Sequence, residues 1–166
     1  MKKLHARGVV LNRASKFAGP LEILPFHASD LETLYAIDQE CFPSGISYSR
    51  NELARFIRHR QAKTWVARRE NKIIGFLILE CEPQKVGHIV TIDVIESWRG
   101  AGVGTALMTT IEAWAERQSL RLIYLETADD NRTAQIFYTA RGYVKVEEID
   151  HYYPNGQAAW VMVKWL

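Results

Sequence analysis

Cysteine is scarce in this sequence. Its 166 residues hold only Cys41 and Cys81, far apart, with no CxxC spacing and no histidine-rich neighbour. A metal site is therefore not expected, and the two read as free thiols in a reducing compartment. Long apolar runs are also lacking: none approaches the ~20 residues of a membrane-spanning helix. Arg7, Asn12, Arg13 and Lys16 break up the stretch behind Met1-Lys2-Lys3, so no secretory signal is read there. Charge of one sign is lacking too. A formal net charge of +2 is too small to imply a nucleic-acid or membrane partner. Neither an internal repeat nor a low-complexity segment is visible. These absences leave a soluble cytoplasmic protein as the expectation.

What is present fits one ordinary globular domain. The hydrophobic fraction is 48% and the charged fraction 24%. The length suffices to bury a core without disulfides or metals. Residues 1–20 are basic and end in Gly19-Pro20, so they read as an N-terminal extension ahead of a domain over 21–166.

Leu21 to Phe26 reads as a first strand. Ser29 with Glu32 forms an S-x-x-E capping box for a helix carrying Leu31, Leu34, Ile37 and Cys41 at helical spacing. Pro43 stops that helix, because it disfavours helical backbone in the residue before it. Ser49 with Glu52 opens a second, short helix. Strands are expected at about Thr64–Arg68, Lys72–Cys81 and His88–Ile95, with Asn71 at the first turn. A long amphipathic helix then carries Leu107, Ile111 and Trp114-Ala115. Arg121–Thr127 is a strand, and Asn131–Ala140 a helix ended by Gly142. Tyr143–His151 and Ala159–Leu166 read as two closing strands. The order β α α β β β α β α β β is that of a mixed α/β domain.

The strongest chemical signal is Arg99-Gly100-Ala101-Gly102-Val103-Gly104, followed by Thr105, where a strand gives way to a helix. Unpaired backbone N–H groups and the helix dipole make such a junction an anion site suited to phosphate. Glycine there lets the backbone approach a ligand closely. The spacing G-x-G-x-G fails the dinucleotide fingerprint G-x-G-x-x-G. Gly104-Thr105-Ala106 lacks the lysine of a Walker A loop.

The remaining pattern, R-x-x-G-x-G, resembles the pyrophosphate loop of the GNAT superfamily of N-acetyltransferases. The resemblance runs from about Leu21 to Lys164. Asn131, Tyr138 and Gly142-Tyr143 are similar to the family's second motif, N-x(6)-Y-x(3)-G-[FY]. It implies the GNAT fold, a central mixed twisted sheet of about six to seven strands flanked by about four helices. It also implies acetyl-CoA as cosubstrate, with Arg99 to Thr105 and Asn131 among its contacts. The main chain of Ile92 and Val94 on the central strand would hold the pantetheine and the acetyl carbonyl. Within the superfamily the chain most resembles the ribosomal-protein alanine N-acetyltransferases and related N-terminal acetyltransferases. Asp38 to Pro43, Tyr124-Leu125-Glu126 and Tyr152-Tyr153-Pro154-Asn155-Gly156 carry that likeness. Pro43-Ser44-Gly45-Ile46-Ser47 departs from the Pro-Trp-Ser usual in the bacterial members, which points to a different acceptor pocket.

Acetyl transfer needs a base for the ammonium, donors for the developing oxyanion and a proton for the leaving thiolate. Glu126 is a base candidate, since a carboxylate amid Ile123, Tyr124 and Leu125 is costly to bury without a role or partner. Its other reading is a salt-bridged or edge-exposed glutamate. His88 is the second candidate, because imidazole titrates near neutrality; it reads equally as a structural histidine. Period-two alternation sets His88, Val90 and Ile92 on one face, and Ile89, Thr91 and Asp93 on the other. The resemblance gives Tyr138 the role of general acid. Its other reading is a core aromatic. Tyr152 and Tyr153 either clamp the acceptor or are ordinary strand residues. Phe42 and Ile46 would line the pocket for the acceptor's first side chain. Protein or peptide N-terminal α-amines lead the acceptor classes. Lysine side chains and small amines such as a polyamine, aminoglycoside or amino acid are the alternatives. A non-catalytic acetyl-CoA sensor remains a third reading, disfavoured by the presence of Glu126 and Tyr138.

Overall fold

The computed structural model describes residues 19–43 and 45–166. The expected extension over 1–20 therefore lies outside the described residues, apart from Gly19 and Pro20. Among the described residues, seven strands and four α-helices follow the expected order. Strands β1 (Glu22–Pro25), β2 (Ala62–Arg69), β3 (Lys72–Glu82), β4 (Val86–Val94), β5 (Leu122–Ala128), β6 (Val144–Ile149) and β7 (Ala159–Trp165) form one sheet. Its order is β1-β2-β3-β4-β5-β7-β6. All neighbours are antiparallel except β4 and β5, which run parallel. The last strand thus enters between β5 and β6 instead of adding to the edge.

Helices α1 (Leu31–Cys41) and α2 (Arg50–Arg58) cover one face of the sheet; α3 (Val103–Arg117) packs on the other, with α4 (Arg132–Ala140) beside it. Leu34, Ile37 and Leu53 meet Val66, Phe76 and Ile78 on the first face. Leu107, Met108 and Ile111 meet Leu77, Leu79, Ile89 and Ile123 on the second. This two-sided burial explains why β3 reads as an unbroken apolar run. Gly75 lets β3 lie tight against β4, since a Cβ there would stand 2.6 Å from the Asp93 carbonyl oxygen.

Two local expectations fail. The Ser29–Glu32 box does not form. A 3-10 turn over Ala28–Asp30 precedes α1 instead, with His27 as its cap and the Asp30 carboxylate accepting from the His27 N–H at 2.9 Å. Arg68 of β2 fixes the other Asp30 oxygen at 2.6 Å, so a long-range ion pair decides which acid caps. Glu32 faces Arg50 of α2. The Ser49–Glu52 box forms as expected.

The second failure is the strict alternation along β4. Leu79 pairs with Ile89 and Ile78 with Thr91, which leaves Val90 as a bulge. A bulge inserts one residue and exchanges the faces of everything after it. Ile92 and Val94 consequently pack with Ile89 on the α3 side, while Val90 packs on the α1–α2 side. Thr91 and Asp93 join His88 on that side: each pairs with a β3 residue, Ile78 or Phe76, of the α1–α2 cluster.

Candidate active site

Strands β4 and β5 pair through three rungs only, Val86 with Leu122, Gly87 with Ile123 and His88 with Tyr124. Both strands continue, to Val94 and Ala128, without pairing again. A cleft therefore opens in the middle of the sheet just beyond His88. His88 stands on the last rung before this opening, and Glu126 lies two residues beyond its register partner Tyr124.

His88 and Glu126, separate candidates for one role, are a single pair: Nε2 of His88 lies 2.8 Å from Oε2 of Glu126. A carboxylate only accepts, so in the neutral ring Nε2 carries the hydrogen and Nδ1 presents its lone pair. Four tyrosines lie within electrostatic reach of this carboxylate. Tyr48, Tyr124, Tyr152 and Tyr153 all have phenol pKa values raised, first by burial, with the charge of Glu126 adding to each. For Tyr153 the value is pushed up to about 12. All four phenols therefore remain neutral donors near pH 7. Tyr152 and Tyr153 meet edge to face at 4.9 Å, at the head of a loop closed by the Gly156 N–H donating to the Tyr153 carbonyl.

Phe42 and Ile46 are half-buried on the loop between α1 and α2. That loop is latched to α1. The Tyr48 N–H donates to Asp38 Oδ2 at 2.9 Å, and Gln39 Nε2 donates to the Tyr48 carbonyl at 2.8 Å. The Tyr48 hydroxyl then donates to the carbonyl of the bulged Val90 at 3.3 Å. Sequence reasoning missed Tyr48, whose role depends on a bulge in another strand.

It also missed Asp93. This side chain is 1% exposed, and burial, with the nearby Asp38 adding, pushes its pKa up to about 8. The Thr91 hydroxyl donates to it at 2.6 Å. Asp38 is wholly buried and raised to about 6, again by burial first. The signal for Asp93 existed: a carboxylate inside an apolar strand, the same argument that picked out Glu126.

The glycine loop has the expected form. Gly100 and Gly102 have φ of +74° and +84°, and α3 starts directly after Gly102. A Cβ on either would meet no protein atom, so backbone conformation accounts for glycine at both. The Val103, Gly104 and Thr105 amides donate to no backbone acceptor among the described residues. Arg99 Nε donates to the Val94 carbonyl at 2.9 Å and ties the loop to the end of β4. The same carbonyl accepts from Cys41 Sγ at 3.4 Å. Asn131 caps α4, its Oδ1 accepting from the Ala134 N–H at 3.1 Å. Tyr138 is 6% exposed, edge to face with Phe137 and Tyr143, and burial raises its pKa with Asp93 and Tyr153 contributing.

A family model described as the acetyltransferase (GNAT) family matches residues 31–143. The chain belongs to the GNAT acetyltransferase family. This GNAT protein is 27% identical to the N-alpha-acetyltransferase of Sulfurisphaera tokodaii, over 81% of its own length and 86% of the relative's. Among solved structures, Ard1 from Thermoplasma volcanium superposes with a TM-score of 0.82 at 24% identity, covering 88% of this chain and 97% of the other. Arabidopsis thaliana NAA60 in complex with acetyl-CoA gives 0.79 at 19% identity, covering 89% and 99%. The likeness to these two structures establishes the fold. The seven-stranded mixed sheet with four helices is the GNAT fold.

Proposed function

We propose that this GNAT enzyme acetylates the N-terminal α-amine of proteins or peptides with acetyl-CoA. The observation that carries this reading is the His88–Glu126 pair at the mouth of the β4–β5 cleft. Acetyl-CoA, when bound, supplies an acetyl thioester. The residues present fit it. The open amides of Val103 to Thr105 and the positive-φ glycines make an anion cradle, and the parted strands leave room beside Ile92 and Val94. The acetyl-CoA complex of NAA60 supports the choice of cosubstrate.

The acceptor arrives as an ammonium ion. The His88–Glu126 pair takes its proton, at Nδ1 of His88 or at Glu126 itself, and frees the nitrogen lone pair. As the nitrogen bonds to the acetyl carbon and the C–S bond breaks, Tyr138, whose phenolic proton burial holds in place, would give that proton to the leaving sulfur and would regain one from the second proton the nitrogen sheds. Tyr152 and Tyr153 border the acceptor and narrow access of water.

Acidity favours the α-amine over lysine. With pKa values of about 7.7–8.0 against about 10.4, roughly a quarter of α-amines are unprotonated near pH 7.4, but only about one lysine in a thousand. The naming of the Sulfurisphaera relative as an N-alpha-acetyltransferase supports the same acceptor. The test is intact-mass detection of acetylation on pooled peptides, half with free N-termini and half blocked but carrying lysine. Acetylation confined to free N-termini is expected. Modification of blocked peptides would move the assignment to lysine, and none at all would turn it to small amines.

A further inference from the structure

Tyr124 lies face to face with the His88 imidazole, ring centroids 4.4 Å apart and planes 4° from parallel. The two are register partners on the last rung of the β4–β5 ladder. The Tyr124 hydroxyl donates to Glu82 Oε1 at 2.6 Å. Glu82 ends β3, so the bond passes over β4 and ties β3 to β5 beside His88. A hydrogen bond of this length to a carboxylate is charge-assisted and stronger than a neutral one. Burial first, and Glu82 next, raise the pKa of the phenol, so it stays a donor.

The single hydrogen bond to Glu126 fixes one imidazole nitrogen but leaves the ring plane free to swing, because the terminal torsion of histidine is soft. A parallel ring anchored at its far end removes that freedom. We propose that Tyr124, braced by Glu82, is a positioning residue that holds the His88 ring in the plane where Nε2 meets Glu126 and Nδ1 stays unbonded. A phenylalanine would stack as well but would lack the anchor across β4. The inference rests on the proposed reading at one point: that His88 and Glu126 handle the acceptor's proton.

The test uses the full chain, acetyl-CoA and a peptide with a free N-terminus. Glu82→Ala and Tyr124→Phe are expected to lower kcat about tenfold, with KM for acetyl-CoA and Tm unchanged. Glu82→Gln, whose amide oxygen still accepts from the phenol, restores most of the loss. In a His88→Ala background, Glu82→Ala has no further effect. An unchanged kcat in Glu82→Ala, a failure of Glu82→Gln to outperform it, or an equal loss in the His88→Ala background would each overturn the proposal. His88→Ala and Glu126→Gln, run alongside, separate the two failures. If both keep full turnover, the proton-handling reading falls as well. If both are impaired while Glu82→Ala is not, only the bracing role falls.

Discussion

Two inward-facing glutamates, on opposite flanks of the sheet, have nearly equal exposure: the side chain of Glu112 is 10% exposed and that of Glu126 is 14%. Their partners differ. Glu112 of α3 accepts from Arg141 Nη2 at 2.8 Å and from Lys164 Nζ at 2.9 Å. These two cations stitch α3 to the end of α4 and to β7. Glu126 has a histidine at 2.8 Å and, among the described residues, no ion pair with a lysine or arginine. Its partner is an imidazole, with one ring nitrogen to donate and one to accept, and it stands where the ladder opens. Burial therefore does not separate a structural carboxylate from one proposed to handle protons; the chemistry of the partner does.

Substitutions at proposed proton-handling groups and at the Glu112 ion pairs should accordingly fail in different assays. Tyr138→Phe is expected to lose about 10²-fold in kcat with acetyl-CoA affinity and Tm retained, by steady-state kinetics and calorimetry. The ring packing survives this change and only the proton is lost. By contrast, Glu112→Ala should cost about 3 kcal/mol of stability in urea unfolding, because two half-buried cations lose their partner. Its turnover per folded molecule should equal that of the wild type. A smaller effect, roughly 1.5 kcal/mol, is expected for Lys164→Gln, since Arg141 still holds Glu112.

A third kind of carboxylate sharpens the contrast. Among the described residues Asp38 and Asp93 form no ion pair, and burial raises both, to about 6 and about 8, with Arg99 opposing the rise of Asp93. Folding thus tightens their hold on protons relative to an unfolded value of about 3.9. Stability is fully present below that value and is lost as pH rises through about 6 and then about 8. Asp93→Asn should abolish the upper part of this decline and raise Tm at pH 8 while leaving it unchanged near pH 4. Each kcal/mol would read as about 2–4 °C at this chain length. A wild-type Tm that climbs from pH 5 to pH 8 would refute the assignment.

Much of this was legible in the sequence, and what was not has a common cause. The glycine loop and the Ser49–Glu52 cap are local, and period two marked the β5 face that carries Tyr124 and Glu126. The Ser29–Glu32 box failed because Arg68, from a strand thirty-odd residues on, engages Asp30. The faces of Ile92, Thr91 and Asp93 were exchanged because Val90 bulges against β3, a mismatch of register that no letter of β4 announces. Tyr48 escaped notice for the same reason. The union of His88 and Glu126 needed the parallel pairing of two strands separated by α3, which alternation within either strand does not supply.

The central claim is that Glu126, through its bond to His88, serves proton removal and not the fold. The most direct measurement compares Glu126→Gln with the wild type for acetylation of a free N-terminal peptide, with acetyl-CoA binding followed by calorimetry. A loss of roughly 10²–10⁴ in kcat with undiminished acetyl-CoA affinity and Tm is predicted. Full turnover in this variant, or a loss that merely tracks a fall in Tm, would contradict the account.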